Sequence, residues 1–158
     1  MRIVRRLHCS CTTVQLHKCT AVQLCNCTAV QLSVVHTTVQ LYNCTTVQLD
    51  VVHEESGTAS LQLYNCTTVQ LHNCTTLKLY NCTTAQLYNG TTAQLHNATA
   101  AQLHNCATIQ MYNCTTVQLY NCTTVQLYNC TTEQQHNCTP VQPYSCKTVK
   151  LYCTTVQL

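Results

Sequence analysis

Cysteine and histidine are the residue types in this chain that could do chemistry. The 158 residues include sixteen Cys and eight His but only four Asp and Glu. A zinc site usually needs Cys pairs two to four residues apart that converge on one point. The sequence contains no Cys-x-x-Cys, and its closest pairs are Cys9-Ser10-Cys11 and Cys25-Asn26-Cys27. We therefore predict no specific metal site, and only adventitious binding of soft metals by exposed thiols.

Nucleophilic catalysis has one formal candidate, a thiol next to an imidazole in His72-Asn73-Cys74. The same tripeptide recurs further along the chain, so nothing marks one copy as special. The acidic residues form no paired constellation, and no Gly-rich phosphate loop is present. These acidic residues are Asp50, Glu54, Glu55 and Glu133. The sequence predicts neither an enzyme nor a cofactor.

The charge pattern bears on partners. Charged residues make up 7% of the chain, and nearly half of the basic ones are Arg2, Arg5 and Arg6. No basic face can therefore run along the chain, and we predict no nucleic-acid partner. No run approaches the ~20 apolar residues that cross a bilayer, which predicts no membrane partner.

Eleven of the twelve Asn lie in Asn-x-Thr sequons, and Asn105 is the exception. The basic start lacks the apolar stretch of a secretory signal, so the default expectation is a cytoplasmic product of otherwise unknown location. In that compartment we expect no N-glycans and no disulfides.

These cysteines, histidines and asparagines all belong to one octapeptide, Leu-Tyr-Asn-Cys-Thr-Thr-Val-Gln, repeated with small changes. Three regions follow from its regularity. Residues 1–62 carry out-of-phase copies and an insert at 50–61, residues 63–132 form the regular array, and residues 133–158 are degenerate copies. Internal repeats of this kind predict a stacked architecture rather than a conventional domain.

The octapeptide has a simple explanation in nucleic acid. Read in tandem, the eight-base unit TACAACTG encodes Tyr-Asn-Cys-Thr-Thr-Val-Gln-Leu, and all three forward frames give the same peptide cycle without a stop codon. Variants also recur in neighbouring copies, as at Ala85, Ala93 and Ala101. We expect the chain to be the translation product of a tandem octanucleotide repeat, with no specific biochemical function.

The residue types favour extended backbone, because Thr, Val, Tyr and Cys suit strands and an eight-residue repeat drifts off a helical face. An antiparallel meander would mix apolar and polar residues on each face, whereas a parallel stack keeps Val and Leu columns together. We predict an all-β, parallel β-solenoid with two octads per 16-residue rung. The alternative is a disordered or aggregation-prone low-complexity chain.

Strict alternation along a strand makes a prediction for each side chain. It places Thr67, Val69 and Leu71 on one face. It places Cys66, Thr68, Gln70 and His72 on the other face. Asn before Cys is the expected corner, with Asn89-Gly90 as the strongest turn signal.

The ends of the array are expected to resist stacking. Glu133 falls in the Val column, and its buried carboxylate would protonate or open the rung. Gln135 and Pro143 fall in the Leu column, and Pro140 removes a backbone donor. Strands should therefore concentrate between residues 63 and 132, and the ends of the array should fray. Exposed strand edges at these ends would promote self-association, which is the one kind of partner that we expect.

In periodicity and Thr content the chain resembles ice-binding and ice-nucleating repeat proteins. The resemblance implies ice-like surface binding on a β-solenoid. The alternative function that we predict is a structural or surface-binding β-solenoid, acting by self-association or by ice-like or soft-metal surface binding. The Thr-x-Thr ladder of such proteins is absent, because the Thr residues here are adjacent and alternation would point them to opposite faces.

Overall fold

The structure is a computed structural model, and it describes residues 4–7, 11–17, 19, 21–34, 38–51, 59–138 and 141–152. Within these residues it contains fourteen strands and no helix. The strands are β1 Val4–Leu7, β2 Cys11–His17, β3 Ala21–Cys25, β4 Cys27–Val34, β5 Thr38–Tyr42, β6 Thr46–Val51, β7 Ser60–Tyr64, β8 Thr68–His72, β9 Thr76–Tyr112, β10 Thr116–Tyr120, β11 Thr124–Tyr128, β12 Thr132–His136, β13 Val141–Tyr144 and β14 Thr148–Tyr152. No helix in the described part of the chain could span a membrane.

The strands pair in parallel with the strand one rung away. Thr68 pairs with Thr84 and Leu71 with Leu87, an offset of 16 residues, so two octads make one rung. The odd-numbered strands and three segments of β9 form one face, here called face A. The even-numbered strands and the other two segments of β9 form face B. The parallel β-solenoid is confirmed, and the antiparallel meander is excluded for the described strands.

Each octad turns three side chains inward. Val69 and Leu71 are fully buried, as the parallel stack predicts. Cys66 is also inside, at 2% exposed, while Thr67 and Thr68 both point outward. The predicted placement of Cys66 and Thr67 was therefore wrong. Alternation breaks twice in every octad, at Tyr-Asn and at Thr-Thr, where two successive residues face solvent, so the chain wraps around a core instead of running straight.

The corners depend on Asn. All twelve Asn have a left-handed backbone with φ between 53° and 59°, and Ser145 takes the same conformation in the last corner. Asn tolerates this region better than other non-glycine residues. The Asn65 N–H donates to the carbonyl of Tyr80 on the next rung at 2.9 Å, so pairing continues through the bends. Asn89 forms such a corner, but Gly90 has no positive φ, so the Asn-Gly pair is not a special turn.

The out-of-phase repeats of residues 1–62 change the sequence distance between paired strands, while the parallel pairing of the described strands continues. Ala21 pairs with Thr38, an offset of 17, and Thr46 pairs with Thr68, an offset of 22. Relative to the 16-residue rung, one extra residue and then six extra residues therefore separate these paired strands in sequence. Each rung of a solenoid contacts only its neighbours, so extra residues between two rungs do not disturb the Val and Leu columns. Glu54 and Glu55 lie outside the described residues.

Strands also continue past the regular array, with β12, β13 and β14 stacked on β10, β11 and β12. The expected concentration of strands between residues 63 and 132 is therefore not seen. Glu133 and Gln135 are 0% exposed, and their side-chain oxygens and the Gln135 amide nitrogen have no hydrogen-bond partner. The rung stays closed, and burial raises the pKa of Glu133 to about 7, which favours the protonated form. Pro143 is tolerated in β13, while Pro140 lies outside the described residues.

Candidate functional site

The cysteines form two columns inside the corners of the solenoid. One column contains Cys44, Cys66 and Cys82 on successive rungs, and their thiols are free and buried. Each thiol donates to the carbonyl two residues earlier, as Cys66 Sγ does to Tyr64 at 3.6 Å. The described thiols that are only partly buried are Cys11, Cys25 and Cys146. Among the described residues, no group of three or more His, Cys, Asp or Glu could hold a metal ion.

The structure separates the candidate nucleophile from its base. Cys74 is buried at 2% exposed, whereas His72 lies on the outer surface. Burial, helped by the negative charge of Asp50, raises the pKa of the Cys74 thiol to about 12, so the nucleophilic thiolate is disfavoured. Cys25 and Cys27 likewise diverge, because Cys25 stands in the outer aromatic column and Cys27 points inward. Cys9, Ser10 and Arg2 lie outside the described residues.

Amide side chains form ladders along the outside. On face B, Gln70 donates to Gln86 and Gln86 donates to Gln102, both at 2.8 Å. This ladder runs unbroken through eight rungs: Gln15, Gln31, Gln48, Gln70, Gln86, Gln102, Gln118 and Gln134. Asn97 similarly donates to Asn81 at 2.9 Å in one of two Asn ladders at the corners. Asn and Gln ladders of this kind stabilise in-register parallel stacks.

Aromatic rings form a column beside each Gln ladder. On face A the stacked rings start with Tyr42, Tyr64 and Tyr80. On face B the stacked rings start with His72, Tyr88 and His104. Neighbouring rings stack with centroids 4.5 to 4.9 Å apart and planes within 13°. This spacing is the strand spacing, so the sheet itself imposes face-to-face stacking.

The face B column has a gap at its N-terminal end. The ring position is taken by Ser33 on one rung and by Asp50 on the next, and these residues pair with each other. His17 precedes this gap and His72 follows it. The result is a groove of about 270 Å³, with Gln31, Gln48 and Gln70 along one side.

The groove combines a carboxylate, amides and an open ring face. Among the described residues of its lining, Asp50 is the single acidic one, and none is Lys or Arg. The Asp50 carboxylate accepts a hydrogen bond from Asn73 at 3.4 Å. One face of the His72 ring stacks on Tyr88 at 4.9 Å, while the rung on its other side carries Asp50. The groove thus has the elements to bind a flat, positively charged group.

Sequence reasoning missed this groove, although a signal was present. In the structural register, Ser33 and Asp50 occupy the Tyr column of the octapeptide, each just before a change of repeat length. Aligning the out-of-phase copies by their Val-Gln-Leu core would have shown the gap. The chain matches no family model, no curated protein and no solved structure.

Proposed function

We propose that this chain is a structural β-solenoid whose copies associate end to end. The supporting observation is that the outermost described strands have unpaired edges. Among the described strands, β1 and β2 have a neighbour on one side only, and so do β13 and β14. An unpaired parallel edge offers a row of N–H and C=O groups to a strand of another molecule.

Side chains at the C-terminal end point to the same partner. Val149 is 37% exposed and Tyr152 is 54% exposed, whereas Val117, in the same column as Val149 further inside the stack, is fully buried. An incoming rung would cover Val149 as each inner rung covers the Val before it. Because all the pairs are parallel, the arriving edge must be the N-terminal one, which generates an open, head-to-tail filament.

A charge in the terminal Val column should block this assembly. We expect Val149→Lys to remain monomeric under reducing conditions where the parent chain sediments as concentration-dependent filaments. An incoming rung would have to bury the ammonium group without a partner, while the separate chain leaves it in water. Sedimentation velocity and electron microscopy measure the difference.

The matched control is Thr83→Lys, which adds the same charge at an exposed corner in the middle of the stack. It should assemble like the parent chain. Equal assembly of both variants, or a parent chain that stays monomeric at all concentrations, would contradict end-to-end association.

We propose for the origin of the chain that it is the translation product of a tandem TACAACTG repeat, without a selected biochemical activity. The octapeptide matches the peptide that tandem TACAACTG encodes in all three forward reading frames. Neighbouring copies also share variants, and both observations support this origin. We expect most codons for residues 63–127 to be those of the tandem unit. Sequencing the coding DNA tests this, and freely mixed Thr, Leu and Val codons would refute it.

A further inference from the structure

We propose that the groove at Ser33 and Asp50 binds a planar aromatic cation, which takes the place of the rings missing from the face B column. The gap is the first support. Four successive rungs carry His17, Ser33, Asp50 and His72 at the ring position, so two ring positions are empty between two imidazoles.

The spacing of the column suits a flat ligand. Rings on neighbouring rungs of this face stack 4.5 to 4.9 Å apart, as in the pairs His104–Tyr120 and His72–Tyr88. A bound ring at the Asp50 rung would contact the open face of His72 and extend the existing stack by one member. Offset-stacked aromatic contacts are favourable beyond the area that they bury.

The charge of the ligand follows from Asp50. Its carboxylate lies at the gap, no Lys or Arg is among the described residues of the lining, and its hydrogen-bond donor at 3.4 Å is the uncharged amide of Asn73. A cationic ring would therefore meet an uncompensated negative charge and would also be attracted to aromatic faces. An anionic ring would be repelled by the same carboxylate.

The Gln ladder supplies the remaining recognition. Gln31 donates to Gln48 and Gln48 donates to Gln70, both at 3.0 Å, and each uses one N–H and one lone pair in the ladder. Each amide keeps a second N–H and a second lone pair for the edge of a ligand. Amino groups on the ring would be matched by the amide oxygens, so we infer an amino-substituted heteroaromatic cation as the ligand class.

Proflavine, a planar diamino-acridinium, is a suitable probe. We expect one proflavine per chain by equilibrium dialysis and fluorescence titration, at pH 7 and low salt. Asp50→Asn keeps the size of the side chain and removes its charge, and it should weaken binding about fivefold, as for an exposed charge contact of about 1 kcal/mol. Neutral acridone should bind the parent chain less tightly than proflavine.

Filling the gap gives the decisive variants. Ser33→Tyr and Asp50→Tyr restore the residue that the octapeptide normally has there, so they are compatible with the rung. Asp50→Tyr fills the rung at which the ligand would stack on His72, so it should abolish the single site while circular dichroism retains the β spectrum. Ser33→Tyr leaves that rung open and adds a ring on its other side, so it should retain the site. Glu133→Gln, far from the groove, should bind as the parent chain does. Unchanged binding by Asp50→Tyr, loss of binding by Ser33→Tyr, or several equal dye sites per chain would overturn the proposal.

Discussion

Replacing Glu133 by Val is expected to stabilise the C-terminal rungs by about 3 kcal/mol more at pH 7.5 than at pH 4.5. The Glu133 side chain is fully buried in the Val column, and neither carboxylate oxygen has a hydrogen-bond partner. Val is the residue that the repeat places there, so the substitution fills the site with the side chain for which the rung is shaped.

The pH dependence comes from the difference between the folded and unfolded states. The folded pKa is about 7 and the ordinary value is 4.5, with burial as the main cause and the nearby Cys138 as a second. Between these values the folded state binds more protons than the unfolded state. The parent chain therefore loses stability as the pH rises from about 4.5 to 7 and loses no more from this group above that.

Amide exchange of β10, β12 and β14 at the two pH values measures the effect locally, because the rungs of a solenoid need not unfold together. The control is Glu133→Gln, which keeps a buried polar side chain but cannot titrate. Its stability relative to Glu133→Val should be the same at both pH values. An equal gain for Glu133→Val at pH 4.5 and pH 7.5 would contradict a raised pKa at this site.

The corner at Asn97 gives the second large effect. Asn97→Val should destabilise the central rungs by about 2–3 kcal/mol, because a β-branched residue must hold a left-handed backbone and two ladder bonds are lost. Asn97 has a φ of 58°, donates to Asn81 at 2.9 Å and accepts from Asn113 at 3.1 Å. Urea unfolding followed by circular dichroism measures the change.

The matched variant is Asn97→Gly, which adopts the same φ without strain but lacks the amide. We expect it to cost about 1 kcal/mol, from the ladder bonds and the flexibility of Gly. The difference between the two variants isolates the backbone strain. Equal losses for Val and Gly would show that the left-handed conformation of Asn97 contributes nothing to the corner.

Much of the fold could be predicted from the octapeptide. The 16-residue rung, the parallel pairing and the Val and Leu columns all follow from keeping identical apolar residues over one another. The inward position of Cys66 could not be obtained by alternation alone. It depends on where the chain bends, and adjacent Thr67 and Thr68 both turn outward only because a bend separates Cys66 from Val69.

The groove was less predictable for a different physical reason. Its residues are 17 and 22 positions apart in sequence, so their contact depends on which strands pair across intervening segments of unequal length. Strand pairing decides that, and it favours the register that keeps Val30 over Val47 and Leu32 over Leu49. Once that register is known, Ser33 and Asp50 must lie side by side.

The amide ladders have a consequence for the electrostatics of a long stack. Gln side chains donate toward the C-terminal end, as Gln86 does to Gln102, whereas Asn side chains donate toward the N-terminal end, as Asn81 does to Asn65. The dipole moments of the two sets therefore point in opposite directions along the axis and largely cancel. A growing filament would therefore not accumulate the macroscopic polarisation that amide ladders of a single direction create.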